Sequence, residues 1–396
     1  MLMPFTGLRV PKIVFGAGTI QQLPGLMREI GPVWLVVTGG ESFLGTAAAR
    51  ALFAACTAAG LTTHTLRVAG EPSPELIDDT VAQWRVHGIA GVVGIGGGSP
   101  LDAAKAIAGL LRTGNSIMDH LEGVGPELPY AGPTTPFIAV PTTAGTGSEA
   151  TKNAVITRQG AEGFKKSFRD DKLIAEYALI DPDLLATCPP ALIAANGMDA
   201  FTQLLEAYVS LRANVVTDAL ALAGLQAAIT SLPAWHAGEG DQAAHRANMA
   251  LAALLSGICL AQAGLGSVHG LAQPLGSLFP IPHGMVCGTL LAAATRINLQ
   301  ALRERVPDSP ALAKYARIGR LLAQDETLTD AAAQAALVDG LARWTEALGL
   351  PPLSRWQVCR EDYPRIIAQC RGSSMKTNPV VLRDDEVAQI LDARLN

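Results

Sequence analysis

The segment Gly91-Val-Val-Gly-Ile-Gly-Gly-Gly-Ser-Pro-Leu-Asp-Ala-Ala-Lys105 decides the fold class of this 396-residue chain. An apolar, β-branched run leads into three consecutive glycines, then Ser99, Pro100 and an Ala-rich stretch of helical character. Glycine lets a backbone approach a ligand closely, a helix N-terminus offers free N–H groups and a positive dipole end, and proline suits the first helical turn. The junction therefore predicts a pyrophosphate site. A plain strand-to-helix turn is the alternative reading, but it needs fewer glycines. The spacing is neither G-x-G-x-x-G nor a P-loop, so the two commonest phosphate fingerprints do not apply.

Outward from that junction, the N-terminal half keeps one rhythm. Val33-Trp-Leu-Val-Val-Thr38 reads as a strand ending in Gly39-Gly40, residues 48–60 as a helix and 62–68 as a strand. Residues 74–88 read as a helix, 91–95 as a strand, 102–111 as a helix and 136–140 as a strand. This alternation predicts a parallel sheet covered by helices on both faces. After Asp181-Pro182 strand-like runs nearly vanish, and Ala/Leu-rich segments follow at 191–210, 216–231, 241–263, 284–304, 310–324, 329–348 and 384–394. Pro182, Pro189 and Pro190 punctuate the change. The expected organisation is a Rossmann-like α/β nucleotide-binding domain over residues 1–185 and an all-α domain over 186–396.

Charged residues make up 16% of the chain and apolar residues 49%, against about 25% charged in an ordinary soluble domain. The deficit concentrates in residues 247–295, which contain no Asp, Glu, Lys or Arg. Residues 249–261 could pass for a membrane helix, but about 20 apolar residues are needed to span. Gln262, Gly264, Gly266, Ser267 and His269 interrupt first, then Pro274, Pro280 and Pro282, and no Lys/Arg cluster flanks the run. A buried helix is expected, and no membrane role. A net charge of −5 argues against nucleic acid as partner, and an apolar, charge-poor composition excludes disorder. The first eleven residues lack a basic region followed by an apolar core, and the six cysteines show no CxxC spacing. Reduced thiols and a cytoplasmic location are expected.

Two further constellations carry chemistry. Pro141-Thr-Thr-Ala-Gly-Thr-Gly-Ser-Glu149 again follows a strand directly, placing the hydroxyls of Thr142, Thr143, Thr146 and Ser148 at the carboxyl edge of the sheet, where doubly wound folds bind ligands. Two such loops suit a long cofactor better than a single phosphate. The second constellation is split. Gly197-Met-Asp-Ala-Phe-Thr-Gln-Leu-Leu-Glu206 reads as a helix, so Asp199 and Gln203 share one face at i, i+4. Val268-His269-Gly270 and Pro282-His283-Gly284 stand in the charge-free stretch, where thiols apart they are the only ionisable groups. A buried histidine is commonly a satisfied core residue. Two of them flanked by glycine raise the alternative of an Asp/His/His set for a divalent transition metal.

Arg9-Val-Pro-Lys-Ile-Val-Phe-Gly-Ala-Gly18, the two glycine loops, Asp181-Pro-Asp-Leu184, the 197–210 segment and the two His-Gly segments occur in one ordered set. In this the sequence resembles the iron-containing, or group III, alcohol dehydrogenases, from about residue 9 to Thr377-Asn-Pro379. The resemblance implies a dehydroquinate synthase-like architecture, with a nucleotide-binding domain, a helical domain and a cleft between them. It implies that Gly97, Gly98, Ser99, Thr142 and Thr143 hold the dinucleotide, that Asp102 lies near the nicotinamide, and that Thr151, Lys165 and Leu185 line the cofactor. It also implies a homodimer, and a divalent metal, Fe2+ or Zn2+, held by Asp199, His269, His283 and the residue at position 203.

Three departures stand out. The family's second metal ligand is His, whereas this chain has Gln203, a weaker and harder donor, so the site either holds metal less tightly or stays empty. The family's His four residues after the first His-Gly motif is Gln273 here, which removes a group able to titrate near neutrality. After the first strand many relatives carry an acidic residue for the ribose 2′-hydroxyl, whereas this chain reads Gly39-Gly40-Glu41-Ser42. Gly39 removes repulsion with a 2′-phosphate and Ser42 offers it a hydrogen bond, which favours NADP(H) over NAD(H); Glu41 acts against that choice.

The expected reaction is reversible hydride transfer between a nicotinamide and a small alcohol or carbonyl compound, with a metal as Lewis acid. Asp102 and Gln273 are the candidate catalytic groups, Gln273 orienting the substrate oxygen; cofactor contact alone is the alternative for both. Rivals are a lyase resembling dehydroquinate synthase, a dehydrogenase resembling glycerol-1-phosphate dehydrogenase, and a metal-independent reductase resembling maleylacetate reductase. The first two act on phosphorylated substrates and call for a Lys/Arg cluster that residues 247–295 lack. The third needs a cationic anchor, for which Arg169, Arg371 and Lys376 are candidates. A non-enzymatic dinucleotide-binding module is the remaining alternative.

Overall fold

The computed structural model describes residues 5, 7–159 and 163–396; residues 1–4 and 6, where a leader would begin, lie outside them. The chain divides into two compact units, Gly7–Cys188 and Pro189–Asn396.

The first unit contains strands β1 (Lys12–Phe15), β2 (Val33–Thr38), β3 (Thr62–Arg67), β4 (Gly91–Gly96), β5 (Phe137–Pro141), β6 (Asn153–Arg158), β7 (Phe164–Arg169) and β8 (Tyr177–Ile180). Its helices are α1 (Leu23–Ile30), α2 (Ala47–Ala58), α3 (Pro74–Trp84) and α4 (Gly98–Leu110). Six strands form a parallel sheet in the order β1-β8-β5-β4-β2-β3, and β6 pairs with β7 as a separate antiparallel hairpin.

Both sheet faces are covered, which is why the strands read as apolar runs rather than alternating ones. Along β2, Trp34 and Val36 join a core with Leu23 and Met27 of α1 and Leu52 and Cys56 of α2. Leu35 and Val37 point the other way, into a core with Ile77 and Val81 of α3 and Leu101 and Ile107 of α4. The expected parallel α/β architecture is thus observed. From β2 the chain runs outward to β3, then returns to β4 on the other side of β2. That reversal creates a topological switch point, and the loops leaving the carboxyl ends of β2 and β4 flank it.

Some elements differ from expectation. Helix α3 starts as predicted, with Ser73 accepting from the Leu76 N–H and Pro74 in the first turn, but ends at Trp84 because the chain turns through Gly88 at φ +64. The hairpin and the short strands β1 and β8 lie outside the predicted elements; β7, Phe164-Lys-Lys-Ser-Phe-Arg169, has no apolar run to reveal it. Asp181 explains why two separated sequence motifs go together. Its carboxylate accepts from the N–H groups of Gly18, Ile20 and Asp183, tying the turn after β1 to the chain leaving β8.

The second unit is helical: α5 (Pro190–Val209), α6 (Val215–Ala237), α7 (Gln242–Ala263), α8 (Ser267–Leu278), α9 (His283–Arg305), α10 (Pro310–Ala323), α11 (Asp330–Ala347), α12 (Tyr363–Gln369) and α13 (Asp384–Asp392). Helix α5 is central, packing against α6, α7 and α9, with 16 of its 20 residues buried. Helix α6 continues through Pro233, past the predicted end at 231. Helix α8, rich in glycine and containing Pro274, was not predicted. By length and composition α6, α7 and α9 are each able to cross a membrane; in α9, 78% of the most apolar window is buried within the protein.

Candidate dinucleotide loops and metal centre

In the first unit, β4 delivers Gly97 to the N-cap of α4, whose first turn has no side-chain cap. A Cβ on Gly98 would lie 2.9 Å from Cγ2 of Thr146, so the loop after β5 seats directly on the loop after β4. The Thr142 N–H donates to the Gly96 carbonyl at 2.9 Å, adding a second tie. Gly97, Gly98, Ser99, Thr142 and Thr143 are therefore gathered at one place on the sheet edge. Gly39 joins them, facing Pro100. Ser42 is exposed, and Glu41 beside it is paired with Arg67, at the end of the edge strand β3, at 2.6 Å.

Beneath these loops lies Lys105, which the sequence reading passed over. Its ammonium is fully buried and donates to the Ser148 and Asn153 carbonyls, both at 2.8 Å, and to the Thr151 hydroxyl at 2.9 Å. Asp102, one helical turn earlier, accepts from the Ser148 hydroxyl at 2.5 Å and from the Val155 N–H at 3.1 Å. Asp102 and Thr151 thus clamp the second loop and β6 onto α4. Burial lowers the Lys105 ammonium to about 8 and raises the Glu149 carboxyl to about 7. Burial also raises Asp102, against the pull of Lys105. Lys165 is paired with Glu71, which also accepts from the Thr157 hydroxyl, and Leu185 is buried. The signal for Lys105 was its i, i+3 spacing from Asp102 on an otherwise apolar helix.

In the second unit, α5, α8 and α9 converge. A Cβ on Gly284 would lie 2.3 Å from the Ala195 carbonyl oxygen, so only glycine lets the start of α9 approach the α5 backbone this closely. The approach sets His283 Nε2 3.7 Å from Asp199 Oδ1. His269 Nε2 lies 3.2 Å from the same oxygen. Helix α8 owes its position to distant residues: the Ser267 N–H donates to Asn378 Oδ1, and the Val268 and His269 N–H groups donate to the buried Glu206 carboxylate. Glu206 also receives His269 Nδ1, at 2.7 Å. A fourth group, absent from the predicted set, completes the cluster. Cys287 Sγ stands 3.7 Å from His269 Nε2 and 3.8 Å from His283 Nε2. The donor atoms of Asp199, His269, His283 and Cys287 all lie within 4.8 Å of one another.

Gln203 does not point its oxygen at this cluster. Its Nε2 donates to Asp199 Oδ1 at 3.3 Å, and its Oε1 accepts from the Ser256 hydroxyl at 2.8 Å. The orientation has a reason, since reversing the amide would set two oxygens against each other. Burial works to raise Asp199, but His283 and His269 outweigh it and hold the carboxyl low. Burial opposes protonation of His269, yet its contacts with Cys287 and with the Asp199 and Glu206 carboxylates raise it well above the ordinary histidine value. Burial pushes the Cys287 thiol up to about 12. A buried site that gathers this much negative potential around two imidazoles is chemically suited to a cation. Gln273 follows His269 by one helical turn on α8 and is half-buried. Of the candidate cationic anchors, Arg169 is paired with Glu122 and Arg371 with Asp384, while Lys376 is exposed.

The parallel sheet with glycine loops after β4 and β5 at its carboxyl edge, and the helical unit with its Asp/His/His/Cys cluster, are the arrangement expected of one class, the dinucleotide-dependent, metal-type dehydrogenases. Comparison with known proteins gives the family. Residues 11–182 match the iron-containing alcohol dehydrogenase family and residues 193–395 match the C-terminal part of the Fe-containing alcohol dehydrogenase family. The chain belongs to the iron-containing alcohol dehydrogenases, oxidoreductases acting on alcohol CH–OH groups. Among similar proteins are the NAD-dependent methanol dehydrogenase of Bacillus methanolicus, 29% identical over 96% of this chain and 97% of that protein, and the lactaldehyde reductase of Escherichia coli K12, 33% identical over 76% and 75%. A crystal structure of a 1,3-propanediol oxidoreductase superposes with a TM-score of 0.89 at 28% identity, covering 99% of this chain and all of that one.

Proposed function

We propose that the protein catalyses reversible hydride transfer between a nicotinamide dinucleotide and a small alcohol or aldehyde, with a divalent metal on the Asp199, His269 and His283 side chains. The observation carrying this reading is the convergence of those three donors beside Glu206, which fixes the His269 ring. Bound groups supply the chemistry the side chains lack: the dinucleotide a hydride, the metal a Lewis acid for the substrate oxygen. The chain's own part is positional. The uncapped first turn of α4 with Gly97, Gly98 and Ser99 receives the pyrophosphate, and Thr142 and Thr143 add hydroxyls. With both oxygens held internally, Asp102 positions the two loops. Gln273, which does not titrate, orients the substrate oxygen without exchanging its proton.

Three finer readings go with this. NADP(H) is the favoured dinucleotide because Gly39 leaves room for a 2′-phosphate and Arg67 stands beside Ser42's loop, although Glu41 and the NAD dependence named for the methanol dehydrogenase count against it. The protein is taken to be cytoplasmic, and a homodimer, which light scattering on the purified chain checks. The metal-independent reductase is the second reading, weakened by the ion pairs that occupy Arg169 and Arg371. The deciding experiment assays metal-loaded enzyme with NADH and NADPH against aldehydes, 2-oxoacids and maleylacetate. Failure to oxidise either dinucleotide with any aldehyde sinks the proposal. Turnover of maleylacetate that survives chelation establishes the second reading, and a kcat/KM higher with NADH overturns the NADP(H) preference.

A further inference from the structure

We infer that the Cys287 thiolate, not the Gln203 amide, is the fourth protein donor to the metal, making the centre an Asp/His/His/Cys site. The inference rests on the metal reading above and adds a ligand that reading did not contain.

The geometry carries it. Four donors placed tetrahedrally at about 2.0–2.3 Å from one ion lie roughly 3.3–3.8 Å from each other. Four of the six separations are 3.2 Å for Asp199 to His269, 3.7 Å for Asp199 to His283, 3.7 Å for Cys287 to His269 and 3.8 Å for Cys287 to His283, and the other two lie within 4.8 Å. Cys287 reaches this position because it follows His283 by four residues on α9, so both project from one helix face. Gln203 faces away from the task. Its nitrogen is turned to Asp199 and its oxygen is taken by Ser256, leaving it to hold the carboxylate in place.

A thiolate is a softer donor than an amide oxygen and carries a charge. The centre therefore gains affinity for zinc and cobalt, which accept sulfur in tetrahedral sites. The thiol proton leaves to solvent as the metal–sulfur bond forms, so metal uptake acidifies an unbuffered solution.

Cobalt(II) tests this through its spectrum. The metal-free protein is titrated with Co2+ alone, and the near-ultraviolet sulfur-to-cobalt charge-transfer band is followed together with the visible d–d bands. The expected result is one Co2+ per chain with the charge-transfer band present. In Cys287→Ser the band disappears while d–d absorption remains, and the Co2+ dissociation constant rises at least about tenfold, in line with losing a well-placed ligand interaction. In Gln203→Leu, which offers the metal no donor, the band persists, and the d–d absorption retained in Cys287→Ser shows that the serine variant still folds around the ion. Tight Co2+ binding without the band, or a band unchanged in Cys287→Ser, overturns the inference and leaves the metal reading intact. Absence of any stoichiometric Co2+ binding overturns both.

Discussion

The His269 imidazole stands with Nδ1 2.7 Å from Oε2 of Glu206. The carboxylate holds a proton on Nδ1 and turns Nε2 toward Asp199 at 3.2 Å. Partners of this kind orient a metal-binding histidine and raise its basicity, and their loss typically costs about 10–100-fold in metal affinity. Glu206→Gln keeps the size of the side chain while removing its charge. The variant should stay folded by circular dichroism and bind Zn2+ about 10–100-fold more weakly in a competition titration with a chromophoric chelator. Unchanged affinity would show that Glu206 serves only to cap α8.

Gly284 sets the approach of α9 to α5. With a methyl group 2.3 Å from the Ala195 carbonyl oxygen, Gly284→Ala forces backbone against backbone, and no flexible side chain is there to yield. Overpacking of this kind costs about 1–3 kcal/mol. The variant should unfold at lower denaturant than the parent and, because His283 moves with the helix, retain less than stoichiometric metal by elemental analysis. Full metal content at parental stability would contradict the close approach.

How far the sequence foretold the molecule depended on how local each cause was. Strands β2, β4 and β5 were readable because apolar residues fill both faces and glycine lies in the loop after each, and those exits also marked the loops proposed for the dinucleotide. Asp199, His269 and His283 were readable because they stand among residues with no other charge. Helix α8 was not, since its first N–H groups are satisfied by Glu206 and Asn378, 62 and 111 residues away along the chain. Cys287 was missed for a different reason. A cysteine in an apolar helix is ordinarily core packing, and only the arrival of His269 from α8 gives its sulfur a chemical neighbour.

Glu149 makes stability depend on pH. Burial raises its folded value to about 7, from an ordinary 4.5. Between those values the folded chain holds a proton that the unfolded chain releases, so the stabilisation is complete below 4.5 and is lost as pH rises through about 7. The loss amounts to at most roughly 3 kcal/mol. Glu149→Gln removes this dependence. Urea unfolding at pH 5 and pH 7 should therefore show a smaller fall for the variant than for the parent. Equal falls would mean that Glu149 is ionised throughout the range.

Lys105 ties the helix α4 to the loop proposed for the dinucleotide. Its ammonium holds the Ser148 and Asn153 carbonyls and the Thr151 hydroxyl, and it lies 3.9 Å from the Asp102 carboxylate. Lys105→Met preserves the stem and removes the charge, leaving Asp102 buried without its cation and two carbonyls without a donor. Removing one partner of a buried pair costs about 3–5 kcal/mol. The second loop, carrying Thr142 and Thr143, then loses its anchor to the helix that begins at Gly98. The melting temperature should fall by several degrees, and the dissociation constant for dinucleotide, read from fluorescence on titration, should rise at temperatures where the variant is still folded. A lower melting temperature with unaltered dinucleotide affinity would mean that the loops keep their shape without the lysine, and that the clamp serves folding alone.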